Sequence, residues 1–137
     1  ALAIGGASLA NARLVMRFGM RLLTGRALIA LTVLSAAFFA VAAAMGGVPP
    51  LWAFMTYGLA VFFCLGILFG NLTAMAMEPL GQIAGVGAAV VSTLTGFISL
   101  VLGSAVGLSY DGTVLPLVGG FALLGAVSFF FVRRGSR

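Results

Sequence analysis

The run ALIALTVLSAAFFAVAAAM, from Ala27 to Met45, is followed at once by Gly46-Gly47-Val48-Pro49-Pro50, and that junction decides how the chain folds. The run holds no charged residue and is long enough to cross a hydrocarbon core, which takes about 20 helical residues at about 1.5 Å rise each. Paired glycines then stop a helix, and the prolines suit the first turn of a next one. Strands are the competing reading, because Val and Phe favour sheets, yet a membrane barrel strand alternates apolar with polar over about ten residues. This run is apolar on both parities. In lipid each segment must satisfy its own backbone hydrogen bonds, so helix is the physical choice.

Working outward, the same pattern of long apolar run and sharp break recurs. A second span reads from about Leu51 to Met75 and stops at Glu78-Pro79-Leu80-Gly81. A third runs from about Ile83 to Leu108 and closes on the turn tetrapeptide Ser109-Tyr110-Asp111-Gly112, whose Gly can take positive φ. A fourth, about Val114 to Val132, ends at Arg133-Arg134. The stretch from Ala1 to Ala10 is apolar but covers only about half a crossing, with no basic leader, so it reads as the end of a span whose beginning lies outside this sequence. The expected plan is therefore the end of a truncated transmembrane helix (1–10), a cytoplasmic Arg-rich loop (11–26), a four-span bundle (27–132) and a cytoplasmic tail (133–137), in what is expected to be a fragment. The fold class is all-α integral membrane, with four transmembrane helices plus the end of a fifth.

Composition agrees. Of 137 residues, 63% are hydrophobic and only 7% charged, against roughly 25% charge in an ordinary soluble domain. A water-soluble surface cannot be built from that, which excludes a disordered chain, a soluble enzyme and a nucleic-acid binder working through a basic face. The net charge of +5 comes from arginines alone, all between Arg13 and Arg26 or between Arg133 and Arg137. The absence of His removes the commonest metal ligand and general base, and the lone Cys64 permits no internal disulfide. Glu78 and Asp111 end opposite sides of one span, on the order of 30 Å apart by helix rise, and cannot form a catalytic carboxylate pair. No catalytic residue, metal or cofactor is expected.

Arg-rich loops stay in the cytoplasm. Four spans between the two arginine clusters put both on one side, and the two loops left for the other side, Gly46 to Pro50 and Ser109 to Thr113, carry no basic residue. Trp52 and Tyr110 then fall at the outward helix ends, where amphipathic rings prefer the headgroup layer. Within the loop, Arg13, Arg17 and Arg21 recur every four residues, as on one face of a short interfacial helix available to lipid phosphates or to negative helix ends.

Polar groups inside the spans are few. Asn71 and Thr73, near the inner end of the second span, stand out because an amide in lipid needs a partner, so Asn71 reads as a substrate-path or inter-helix residue. Tyr57, Ser92 and Thr95 are the further substrate-path candidates, while helix packing or back-bonding accounts for most of the hydroxyls. The third span carries small residues on nearly every turn, Gly81-x3-Gly85, Ser92-x3-Gly96 and Ser99-x3-Gly103-x3-Gly107, and the second repeats the device with Gly66-x3-Gly70. Such spacing lets backbones approach in lipid, so Gly85, Gly96, Gly103 and Gly107 are expected to pack against another helix. A dinucleotide loop at Gly81 to Gly87 is rejected for want of the preceding strand and following acid. Glu78, beside Pro79, fits a cap or a latch to an inner-loop Arg.

Two motifs carry a family resemblance. Gly6, Asn11, Arg17, Gly19 and Arg21 resemble the Gly...Asp/Asn...Arg-x-Gly-x-Arg loop between paired spans of the major facilitator superfamily, with Asn in place of the usual Asp. The segment from Gly70 to Gly85, with its Asn-x-Thr-Ala-x-Ala-x-Glu-Pro-x-Gly-x-x-Ala-Gly pattern, resembles the junction of the tenth and eleventh spans in Bcr/CflA-type drug resistance transporters. The resemblance implies the C-terminal part of a twelve-helix transporter of the bacterial inner membrane, a proton-driven exporter of drugs or small metabolites working by alternating access. It makes Asn11, Arg17, Gly19 and Arg21 latch residues, beside which Arg13 and Glu78 are latch or loop candidates by their placement, and it lines the cavity with the second and third spans. The partners it implies are the bilayer, a small-molecule substrate, protons and the transporter's N-terminal helices. A sugar or amino-acid exporter of the same fold, a small four-span protein acting as an oligomer, and a membrane scaffold are the alternatives.

Overall fold

The computed structural model describes residues 2–135 and is helical from end to end, with no strand among the described residues. Five helices follow in order: α1 (Leu2–Phe18), α2 (Met20–Ala44), α3 (Leu51–Met77), α4 (Ala84–Leu108) and α5 (Leu115–Gly135), with a 3₁₀ stretch, Glu78–Ile83, between α3 and α4. Four of them are long and apolar enough to cross a membrane: α2, α3 with its 3₁₀ continuation, α4 and α5.

The breaks sit where the sequence puts them. After α2, Gly46 and Gly47 take φ of 72° and 82°, and their amides donate to Ala43 and Ala42 carbonyls at 3.1 and 2.8 Å, closing the helix end. The Gly47 carbonyl then accepts from the Val114 amide at 3.0 Å, tying the α2–α3 loop to the α4–α5 loop at one end of the bundle. There Thr113 accepts from the Leu115 amide at 3.3 Å, and Pro116 sits in the first turn of α5.

Two differences from expectation concern the N-terminal third. The short interfacial helix carrying Arg13, Arg17 and Arg21 is instead divided: α1 continues through Phe18, Gly19 breaks it at φ 80°, and Arg21 belongs to α2. Only Gly tolerates that φ without strain, and the chain turns there and restarts at once. Helix α2 also begins at Met20 rather than near Ala27, because apolarity marks the hydrocarbon thickness whereas arginine is a good helix former that extends the helix into the interface.

Helices α2 and α3 form the centre of the bundle, and α3 joins α1 to it. Helix α3 packs on α1 and on α2, and α2 packs in turn along α5. The core consists of Leu23, Ala27, Leu28 and Leu31 of α2, Tyr57, Val61, Ile67 and Leu68 of α3, with Ala7 and Val118. Close approach is set by glycines: a Cβ on Gly66 would stand 2.7 Å from the Ala7 Cβ and 3.3 Å from the Ile4 backbone, and one on Gly125 would meet Thr32 Oγ1 at 2.7 Å. Helix α4 differs. It is held near its ends, where Gly87 faces Leu80 and Val106 faces Gly120, and its middle turns are exposed.

Candidate functional site

Among the described residues three polar side chains are buried in the bundle, Thr24, Ser35 and Asn71, and each finds its partner across a helix interface. The Asn71 amide of α3 donates to the Asn11 carbonyl oxygen of α1 at 2.9 Å, and the Asn11 amide donates back at 3.2 Å. Gly70, beside Asn71, also faces Asn11: a Cβ there would lie at ordinary contact distance, 3.7 Å, from the Asn11 side-chain nitrogen. Higher on α3, the Tyr57 and Ser35 hydroxyls share a hydrogen bond of 2.9 Å, and the Tyr57 ring stacks on Phe38 with centroids 4.3 Å apart. Thr24 donates to Met75 Sδ at 3.8 Å. Unpaired polar groups are costly away from water, so these pairs fix the register of α3 against α1 and α2.

Thr24 had no signal of its own, since it fell in the segment read as a loop. Its spacing to Leu28, Leu31 and Ser35 is that of one helix face, and all four are buried; that pattern is the sign that α2 starts early.

The substrate-path candidates do not converge. Tyr57 and Asn71 are buried about 21 Å apart along α3 by helix rise, Thr73 is exposed near the C-terminal end of α3, and Ser92 and Thr95 are exposed on α4. A Cβ built on Gly85, Gly96, Gly103 or Gly107 meets nothing within 4 Å; Gly103 and Gly107 border a groove of about 280 Å³ against Leu117, Gly120 and Phe121 of α5. The groove between α4 and α5, about 590 Å³ and lined by Leu102, Val106, Gly119, Gly120 and Leu123 with Asp111 at its mouth, is apolar and contains none of the five.

At the end of the bundle away from the Gly47–Val114 tie, the two arginine clusters meet. Arg21 and Arg26 of α2 and Arg133 of α5 border one groove of about 420 Å³. Arg21 also shares a smaller recess with Met75, Glu78 and Val132. Of the latch candidates, then, Glu78 has Arg21 for a neighbour, whereas the Arg17 guanidinium lies over the Phe18 ring at 5.6 Å. Arg13 and Arg17 share α1, exposed. At the opposite end the Asp111 carboxylate accepts from the Thr113 hydroxyl at 2.6 Å and from its amide at 3.0 Å. Those bonds hold the Asp111 carboxyl below the ordinary carboxylate range. Trp52 and Tyr110, both exposed, begin α3 and follow α4 at this same end. Among the described residues no cluster of His, Cys, Asp and Glu could hold a metal ion.

No family model matches the chain, and neither the curated proteins nor the solved structures contain a match. The class that fold and sequence define is a multi-span helical membrane protein.

Proposed function

We propose that this chain is part of a secondary active transporter, a proton-coupled exporter of drugs or small metabolites of major facilitator type, working by alternating access in a bacterial inner membrane. The carrying observation is α4. Ser8, Thr32, Thr56 and Ser109 each donate to the carbonyl four residues back, whereas the exposed hydroxyls of α4, Ser92, Thr93, Thr95, Ser99 and Ser104, make no such bond. Of these, Ser92, Thr95 and Ser99 share one face with Gly96, Gly103 and Gly107, and Thr93 and Ser104 lie beside it. Hydroxyls and glycines aligned along an apolar span are unsuited to lipid, where backbone and side-chain polar groups need partners, and suited to a wetted path between moving helices. In this reading α3 and α4 border the path, α2 and α5 support them, and both arginine clusters and the C-terminus lie in the cytoplasm. Further helices of the same transporter, a small-molecule substrate and protons are its partners. An exporter of sugars or amino acids would share all of these features.

The test is accumulation of a fluorescent cationic dye in a bacterial host depleted of its own efflux pumps and expressing the gene product that carries this chain. The expected result is lowered accumulation, restored to control by a protonophore. Equal accumulation with and without the protein, across cationic dyes, sugars and amino acids, removes the transport reading. The second reading, a small four-span protein acting as an oligomer, is favoured by the open Gly96, Gly103 and Gly107 face, and predicts a stable dimer in detergent without flux.

A further inference from the structure

The groove between α2 and α5 combines two chemistries that belong to one kind of molecule. Its rim at the bundle end carries three guanidinium groups, Arg21, Arg26 and Arg133, and its walls are apolar, with Ile29, Phe129 and Val132. The order along the helices matters. On α2, Ile29 lies two turns inward of Arg21, and on α5, Phe129 lies one turn inward of Arg133, so charge sits at the end of the spans and hydrocarbon towards their middle. The Arg26 guanidinium is held over the Phe18 ring at 5.4 Å, a face contact that leaves its N–H edge available for an oxyanion. Glu78 lies in the adjoining recess, which Arg21 also borders, and leaves Arg26 facing no acid within the groove.

We infer that this groove binds one anionic phospholipid from the leaflet at the arginine end, phosphodiester on Arg21 and Arg26 and an acyl chain along Ile29 and Phe129. The positive charges of Arg21 and Arg26 favour a headgroup with net negative charge over a zwitterionic one. A free phosphate or a soluble acidic peptide would leave the apolar walls uncovered, whereas an acyl chain covers them. The inference concerns lipid alone and stands whatever the protein transports.

The experiment is lipid titration of the purified protein in neutral detergent, followed by native mass spectrometry, with phosphatidylglycerol and phosphatidylcholine of matched chains. A basic residue at a membrane surface contributes about fivefold to anionic-lipid affinity. Arg26→Gln is therefore expected to weaken phosphatidylglycerol binding about fivefold and Arg21→Gln with Arg26→Gln roughly twenty-fivefold. Arg134→Gln, whose guanidinium lies over Phe130 away from the groove, should change it by less than about twofold. Gly25 borders the groove, and a Cβ there meets nothing within 4 Å, so Gly25→Leu keeps every charge, favours the helix and fills the groove. It should abolish the preference for phosphatidylglycerol even where the arginine variants fold poorly. Equal binding of the two lipids, an Arg134→Gln loss as large as that of Arg26→Gln, displacement by inorganic phosphate, or full binding by Gly25→Leu would each overturn the inference.

Discussion

Asn11 of α1 and Asn71 of α3 hold each other through two amide hydrogen bonds, 2.9 and 3.2 Å long, across 60 residues of sequence. Asn71 is 2% exposed, so each carboxamide is the other's answer to leaving water. Replacing one leaves the second unpaired, and replacing both removes the problem along with the bond. Asn71→Ala and Asn11→Ala should each destabilise the fold by about 1 kcal/mol, and the double variant by less than their sum, with a coupling of about 0.5–1.5 kcal/mol. Equilibrium unfolding in mixed micelles measures all three; strict additivity would mean that the pair does not form.

Glycines on the same helix provide a matched contrast. A Cβ on Gly66 meets Ala7 at 2.7 Å and the Ile4 backbone at 3.3 Å, while one on Gly58 meets nothing. Backbone cannot swing aside as a side chain does. Gly66→Ala should therefore cost about 1–3 kcal/mol through forced separation of α1 from α3, and Gly58→Ala should be neutral or stabilise by up to about 1 kcal/mol through helix propensity. Thermal unfolding of both variants in one detergent decides the matter, and equal behaviour would mean that α1 does not lie on α3.

Asp111 makes the α4–α5 turn sensitive to acid. Its folded carboxyl titrates below the ordinary range because the Thr113 hydroxyl, and then the Thr113 amide, favour the ionised form. A depressed folded value contributes order that is fully present above the unfolded value, about pH 4, and is lost as pH falls through the folded one. Hydrogen exchange at Thr113 and Leu115 should be unchanged from pH 8 to 5, after correction for the intrinsic rate, and accelerate below about pH 4. Asp111→Asn should remove that acid transition.

Asp111 and Arg134 lie at opposite ends of α5 and its preceding turn. The distribution of charge predicts a cytoplasmic arginine end, so with Cys64 replaced by Ala a membrane-impermeant thiol reagent applied to intact cells should label a cysteine placed at Asp111 and spare one placed at Arg134. Labelling of both positions from outside would end the even-span topology.

How much of this was readable beforehand depends on the range of each interaction. The breaks at Gly46-Gly47 and Ser109-Tyr110-Asp111-Gly112 were legible because helix termination is local chemistry of one or two residues. The start of α2 was not, since Arg21 and Arg26 fit a loop and a helix end equally well, and only the buried face through Thr24, Leu28, Leu31 and Ser35 separates the two. For Asn71 the sequence demanded a partner without naming it, because a contact across 60 residues depends on which faces of α1 and α3 meet. The glycine spacing was read on both α3 and α4. On α3, Gly66 and Gly70 meet α1, while on α4 a Cβ on Gly96 or Gly103 meets nothing within 4 Å, because spacing shows that a helix permits close approach and leaves open what approaches it.

Glu78 and Arg21 border one recess of about 210 Å³ at the arginine end, between the C-terminal ends of α3 and α5 and the start of α2. In a rocking transporter, a contact made in one state alone biases the equilibrium between states by its own free energy. An exposed pair of opposite charges is worth about 0–1 kcal/mol, or up to about fivefold in that equilibrium. Glu78→Gln keeps the shape and removes the charge, so it should change dye-export turnover by up to about fivefold while substrate-driven proton exchange persists. Arg21→Gln should act in the same direction, and exchanging the two charges, Glu78→Arg with Arg21→Glu, should return turnover towards the original. A proton carrier behaves otherwise: Glu78→Gln would abolish proton exchange, Arg21→Gln would not reproduce it, and the charge exchange would rescue nothing. Measuring proton release alongside dye flux in reconstituted vesicles separates the two roles, and loss of coupled proton flux with folding and dye binding intact would show Glu78 to be the carrier rather than the latch.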